Sequence, residues 1–142
     1  MSFTDNFGNP KGLLGRMMLV SMDKEHLPMA QWALERIKIP GNGKVADLGC
    51  GGGYNIRRML EMSAKAKFIG LDISDESVKK AQKVNKAEIG KRVKIIKGSA
   101  EKLPFKDNSI DLITAFETVF FWKKPEKAFR EIYRSLVNGG CF

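Results

Sequence analysis

The sequence predicts an α/β fold: a doubly wound parallel sheet with helices on both faces, preceded by a helical N-terminal segment. Three observations carry this. From Lys44 onward, short apolar runs alternate with longer amphipathic ones, the rhythm of strand–helix–strand units. The first apolar run passes directly into a turn holding four glycines, Gly49, Gly51, Gly52 and Gly53. Right-handed crossovers then leave a doubly wound sheet as the economical way to join such units. The chain divides accordingly into residues 1–43, the helical segment, and residues 44–142, the sheet-forming core.

Taken in order, the first dozen residues are rich in Gly, Asn and Pro and read as loop. Leu13 to Met22 forms a short apolar helix. A second helix, about Lys24 to Lys38, carries Leu27, Ala30, Leu34 and Ile37 at helical spacing. Pro28 suits only the first turn of a helix, which places the break before Lys24. "IPGNGK" (39–44) ends this segment. Lys44 to Leu48 is the first strand, Asn55 to Ser63 a helix and Lys67 to Leu71 the second strand. Ser74 is an N-cap, with Asp75 and Glu76 in the first turn of a long helix reaching toward Gly90. Val93 to Lys97 is the third strand, "EKLPFKDNS" (101–109) a loop, and Ile110 to Phe116 the fourth strand. Pro125 opens a last helix, with Ala128, Phe129, Ile132, Tyr133, Leu136 and Val137 on its buried side and Asn138-Gly139-Gly140 as its stop. Cys141-Phe142 reads as the start of a fifth strand. That leaves the fourth strand as an exposed edge, and implies either further strands in a longer protein or a second chain covering the edge.

Composition narrows the function. The 142 residues make one domain with room for a real core. No apolar run is long enough to span a bilayer, and "MSFTDNFGNPKG" lacks the layout of a secretory signal, so a cytoplasmic location is expected. One histidine and two cysteines without paired spacing argue against a zinc site or a disulfide framework. The formal charge of +9 suits an anionic partner, nucleic acid included. The lysines are nevertheless spread along the chain, on what read as solvated helix faces.

Three ligands use glycine-rich turns of this kind, and the residues separate them. A phosphate-binding loop ends in Gly-Lys-Ser/Thr, whereas Gly53-Tyr54-Asn55 stands here. A dinucleotide fingerprint counted from Gly49 would require its last glycine at Tyr54. What is present is D-x-G-x-G-x-G, at Asp47, Gly49, Gly51 and Gly53. "FIGLDIS" follows in the second strand, "KGSAEKLPF" after the third, "DLITAFETVFFW" through the fourth and "REIYRSLVNGG" near the end. With these in register the chain resembles the class I S-adenosylmethionine-dependent methyltransferases, which have a Rossmann-like core. It is most similar to the broad small-molecule group that includes the ubiquinone and menaquinone biosynthesis enzymes.

The resemblance implies S-adenosylmethionine as cofactor and in-line transfer of its methyl group to a small, partly apolar acceptor. It makes residues 1–43 a lid or substrate segment. It implies that Asp47 orients the turn and the cofactor's ammonium group. Gly49, Gly51 and Gly53 would let the backbone pass close beside the amino-acid and ribose parts, with Cys50 among the cofactor-binding residues of the same turn. Asp72 would accept both ribose hydroxyls. Ile73, Ser99 and Ala100 would meet the adenine, with Ser99 standing where the family commonly has aspartate, and Glu101 would be a further cofactor-binding residue. Phe116 and Glu117 would face the turn across the crevice between strands one and four.

For chemistry, Glu117 and His26 are the candidate bases, His26 being equally readable as a cap or surface residue. Arg16 and Tyr54 are candidate contacts to the methionine end. Val119, Phe120, Phe121 and Trp122 divide between an apolar acceptor pocket and core packing. Met17, Met18, Met22, Leu13, Leu14 and Leu19 form a soft apolar lid or ordinary helix packing. Enzymes that methylate exocyclic amines of bases carry a Pro-Pro run after strand four, where Phe116-Glu117-Thr118-Val119 stands. Those acting on carbon 5 of cytosine need a nucleophilic cysteine, and Cys50 is misplaced for it. An RNA or other macromolecular acceptor and a non-catalytic cofactor-binding fragment stay open as alternatives.

Overall fold

The computed structural model describes residues 11–142; most of the predicted N-terminal loop lies outside them. The elements run α1 (Gly12–Leu34), β1 (Lys44–Leu48), α2 (Tyr54–Met62), β2 (Lys67–Asp72), α3 (Asp75–Val84), β3 (Val93–Lys97), β4 (Ile110–Thr114), a 3₁₀ turn (Val119–Phe121), α4 (Pro125–Ser135) and β5 (Leu136–Cys141). The five strands form one parallel sheet in the order β3-β2-β1-β4-β5. The order reverses between β1 and β4, so the sheet is doubly wound with a switch point at the C-terminal ends of those strands.

Alternation along the strands builds a core on each face of the sheet. Val45 of β1 points to one face with Ile56, Met59, Phe68, Ala81, Val93 and Ile95, under α2 and α3. Ala46 and Leu48 point to the other with Leu71, Leu103, Ile110, Ile113, Ala128 and Ile132, under α4. Burial on both faces explains why the strands read as nearly unbroken apolar runs.

Several expectations are corrected. The N-terminal segment is one 23-residue helix that runs through Pro28, not two helices broken before Lys24. A proline in a helix interior costs about 3 kcal/mol. Tertiary contacts offset this: Met18, Leu19, Ala30 and Leu34 are buried, and Arg16 and Asp23 are tied to Glu76 on α3 and Arg58 on α2. Helix α3 stops at Val84 rather than near Gly90, because Asn85 turns its side-chain amide back to the Ala81 carbonyl (3.0 Å) and across to that of Gly53 (2.9 Å). Strand β4 ends at Thr114, two residues short of Phe116. Beyond it the chain turns away from the sheet, and Glu117 adopts a left-handed backbone.

The C-terminal end differs most. Helix α4 ends at Ser135, and Leu136 and Val137 belong to β5, which takes up Asn138-Gly139-Gly140 as well. The edge of the sheet is therefore β5, paired with β4 through an irregular register (Ile110 with Leu136, Leu112 with Cys141), and β4 is covered. Phe129 and Tyr133 are exposed on α4 rather than buried. Phe129 instead packs edge-on against Trp122 and Phe142, with ring centres 5.8 Å apart in each case. No helix among the described residues is long and apolar enough to cross a membrane.

Candidate functional site

A cavity of about 370 Å³ opens at the switch point. Its floor is the turn that joins β1 to α2. Gly49, Gly51 and Gly53 all take positive φ (+69°, +52° and +76°), where a Cβ is strained. The N–H groups of Gly49 and Cys50 both donate to the Leu71 carbonyl, at 2.7 and 3.0 Å, which stitches the turn to β2. A Cβ on Gly53 would lie 2.8 Å from the Ala81 backbone, so that glycine lets α3 pack behind the turn. A Cβ on Gly51 would meet nothing nearer than Leu19 at 4.0 Å: the backbone there is open toward the cavity.

Asp72, at the end of β2, accepts from the Gly51 N–H at 2.9 Å with one oxygen and from the Ser74 N–H at 2.9 Å with the other. Burial raises its carboxyl above the ordinary range, and those N–H donors oppose the rise. Ser74 meanwhile caps α3 by accepting from the Ser77 N–H at 3.3 Å. Asp47 lies beneath the turn, only 2 % exposed, and accepts from the Thr114 hydroxyl at 2.8 Å. Burial pushes its carboxyl up to about 7; the Thr114 bond opposes this and the Asp72 charge adds to it. The Cys50 thiol is raised well above its usual value by burial first, then by the Asp47 and Asp72 charges.

Of the predicted site residues, Gly49, Cys50, Gly51, Asp72, Ile73, Ser99, Ala100, Glu101, Phe116, Glu117 and His26 all line this one cavity. Asp47 and Gly53 do not; they shape the turn from behind. The Ser99 hydroxyl accepts from the Glu101 N–H at 3.1 Å, and the Glu101 carboxylate accepts from the Lys124 N–H at 2.9 Å at the start of α4. Tyr54 is at the wall, but Arg16 is not: its guanidinium is committed to Glu76 at 2.7 Å.

The roof is α1, which contributes Leu19, Met22, Asp23, His26 and Ala30. Met18 is buried, whereas Leu13, Leu14 and Met17 are exposed, so only part of the apolar lid faces the crevice. Phe121 and Trp122 supply apolar wall; Trp122 also packs on the α4 core, and Phe120 points to solvent. The two candidate bases meet: His26 Nδ1 and Glu117 Oε2 are 2.8 Å apart, joining α1 to the loop after β4. Glu117 holds this position with φ +54°, a conformation that costs a non-glycine residue of order 1–3 kcal/mol.

Sequence reasoning missed Arg58, Asp23 and Thr118. Arg58 donates to both Asp23 carboxylate oxygens (3.0 and 3.2 Å) and to Asn55 Oδ1 (2.8 Å), clamping α1 to α2 at the cavity wall. Only its spacing from Asn55 on α2 was legible. Thr118 donates to the Leu48 carbonyl at 3.1 Å and packs so tightly on Gly49 that a Cβ there would sit 2.6 Å from its methyl group. No local signal marks that contact.

A doubly wound parallel sheet with a glycine cradle and a strand-end carboxylate at its switch point defines a class of cofactor-binding α/β domain. The chain belongs to the methyltransferase domain family, whose model matches residues 46–142, and S-adenosylmethionine is the cofactor that family uses. It is 36% identical over 116 residues to the demethylmenaquinone methyltransferase of Lactiplantibacillus plantarum, covering 80% of this chain and 49% of that one. With cycloartenol-C-24-methyltransferase 1 of Oryza sativa it shares 32% identity over 100 residues, 70% of this chain and 29% of the other. Among solved structures, the complex of the Haloferax volcanii Trm112 methyltransferase activator with a methyltransferase matches with a TM-score of 0.81 and 29% identity, over 87% of this chain and 55% of that one. The chain thus spans about half the length of the first of these relatives, and less of the second.

Proposed function

We propose that this chain binds S-adenosylmethionine in the cavity at the switch point and directs its methyl group to a small, partly apolar acceptor. The observation that carries this is Gly51. Its backbone is open to the cavity, and its N–H is tied to Asp72, so a cradle for an adenosine-bearing ligand and a carboxylate acceptor are held side by side. Each Asp72 oxygen accepts one backbone N–H and keeps lone-pair capacity for a hydroxyl donor, which fits the vicinal diol of a ribose. Neither acid beside the turn offers a pyrophosphate the positive charge it would need.

On this reading Gly49, Cys50 and Gly51 form the floor under the amino-acid and ribose portions. Ile73, Ser99, Ala100 and Glu101 form the adenine wall, and Phe116 closes the side across from the turn. Asp47 and Gly53 act indirectly by holding the turn. The bound cofactor supplies an electrophilic methyl group on a sulfonium. The chain's own task is then alignment and exclusion of water, and holding two reactants in line is worth about 7–11 kcal/mol. Within the segment 1–43, of which residues 1–10 lie outside the described residues, α1 serves as the lid over residues 44–142, since it roofs the cavity and presents Leu19 and Met22 to an apolar acceptor. The relatives named for a quinone precursor and a sterol precursor support an acceptor of that character. A small-molecule acceptor rather than nucleic acid, and a cytoplasmic location, complete the proposal.

Calorimetry with S-adenosylhomocysteine tests it. The protein should bind the ligand, and Asp72→Asn should weaken binding about 10- to 100-fold, the loss expected for hydrogen bonds to a charged acceptor. No binding, or equal binding by the variant, would overturn the assignment.

A further inference from the structure

We infer that His26 and Glu117 form a proton-accepting pair, and that the acceptor is an apolar molecule whose nucleophile is released by loss of an O–H proton, a phenolic hydroxyl being the type case. This rests on the cofactor reading above and adds the class of acceptor to it.

The cavity wall decides which group can take a proton. Four carboxylates line it, and three are committed elsewhere. Asp23 holds Arg58, Glu101 accepts from the Lys124 N–H, and Asp72, which accepts from Gly51 and Ser74, is the ribose acceptor on the reading above. Glu117 is the fourth, and its partner is the imidazole of the chain's only histidine, at 2.8 Å. A carboxylate only accepts hydrogen bonds, so the proton in this contact sits on Nδ1, and the imidazole tautomer that makes it leaves Nε2 as the proton-accepting nitrogen. His26 lines the same cavity as the apolar side chains of Leu19 and Met22 on α1 and of Phe121 and Trp122 after β4. A base set against an apolar wall suits an acceptor that arrives neutral and must ionise there.

The pair also has a structural signature of constraint. Glu117 reaches His26 from a left-handed backbone, and the following Thr118 is pinned to the Leu48 carbonyl, so the carboxylate is aimed at the lid by the loop itself. The step balances simply. The acceptor O–H bond breaks, its proton forms a bond to Nε2, and the electron pair stays on oxygen; methyl transfer to that oxygen would then break the carbon–sulfur bond, leave its pair on sulfur and release S-adenosylhomocysteine. Glu117 neutralises the resulting imidazolium, whose proton passes to solvent. His26 is the catalytic residue on this account, and Glu117 a positioning residue.

Imidazole nitrogen NMR tests the pair directly, because one histidine gives one unambiguous set of signals. With S-adenosylhomocysteine bound, wild type should show the proton on Nδ1, and Glu117→Gln should shift the tautomer population toward Nε2–H. Transfer to an alkyl-substituted hydroquinone supplies the second readout. His26→Gln should lower kcat about 100- to 10,000-fold, the usual range for a general base, while S-adenosylhomocysteine affinity stays within about twofold. A wild-type His26 protonated on Nε2, or a tautomer indifferent to Glu117, would overturn the pair. Transfer to the hydroquinone at an unchanged rate in His26→Gln, or no transfer by wild type, would overturn the acceptor class. Failure of S-adenosylhomocysteine to bind would remove the underlying cofactor reading instead.

Discussion

Gly51 and Gly53 lie two residues apart in one turn, both take a positive φ, and should respond differently to alanine. At Gly53 the added Cβ would sit 2.7 Å from Asn85 Nδ2 and 2.8 Å from the Ala81 Cα, with φ at +76°. The left-handed conformation costs about 1–2 kcal/mol for an L-residue. Forcing a methyl group against the backbone of α3 adds about 1–3 kcal/mol. Gly53→Ala should therefore lose about 2–5 kcal/mol. At Gly51 only the conformational part applies, because the nearest atom is Leu19 Cδ2 at 4.0 Å. That variant should lose about 1–2 kcal/mol. Its methyl group, however, would occupy the cradle, and S-adenosylhomocysteine affinity should fall at least about tenfold, or 1.4 kcal/mol. Urea unfolding followed by tryptophan fluorescence gives the first pair of numbers and calorimetry the second. Equal destabilisation of the two variants would refute the packing argument, and wild-type affinity in Gly51→Ala would refute the cradle.

Three further perturbations follow from the same contacts. The Asp47 carboxyl, raised to about 7, keeps its proton in the folded protein over a range where the unfolded chain releases it. Stability should therefore be fullest below about pH 4 as far as this group is concerned, and fall as pH rises toward 7. Asp47→Asn should flatten that slope and gain on the order of 1–4 kcal/mol at pH 8, read from urea midpoints across pH; an unchanged slope would show that Asp47 is not its source. Pro28→Ala restores an N–H inside α1 and should stabilise by about 1–3 kcal/mol in the same assay; a loss would mean that α1 depends on its proline to seat on the core. Asp23→Asn loosens the clamp to Arg58 and should cost no more than about 1 kcal/mol globally, since both side chains are partly solvated. It should nevertheless speed amide exchange in α1 selectively, by mass spectrometry, with the sheet unaffected; uniform protection would show that the clamp does not hold the lid.

The fold was legible where information is local. The apolar runs of β1 to β4, the Ser74 cap and Pro125 at the start of α4 each declare their element within a few residues. The turn was legible for the same reason: glycines at 49, 51 and 53 are needed because three successive alternate positions take positive φ. Their spacing already excluded the phosphate and dinucleotide alternatives. Most of the predicted cavity lining followed, because strand ends at a switch point converge whatever their side chains.

Where the reading failed, a distant contact outweighed a local preference. Pro28 marks a helix start by its own chemistry, yet α1 runs through it because Arg58 and Glu76 hold Asp23 and Arg16 from other helices. Phe129 and Tyr133 follow the helical period of the buried positions, but the side of α4 that carries them faces outward. Leu136 and Val137 continue that period as well, and sheet pairing with β4 claims the segment as strand. The sequence by itself determined the order of elements, the turn and the sort of ligand the turn admits. Only the tertiary structure brought His26 on the roof to Glu117 after β4. Such a pairing arises from two elements folding over a shared crevice, and neither segment alone contains it.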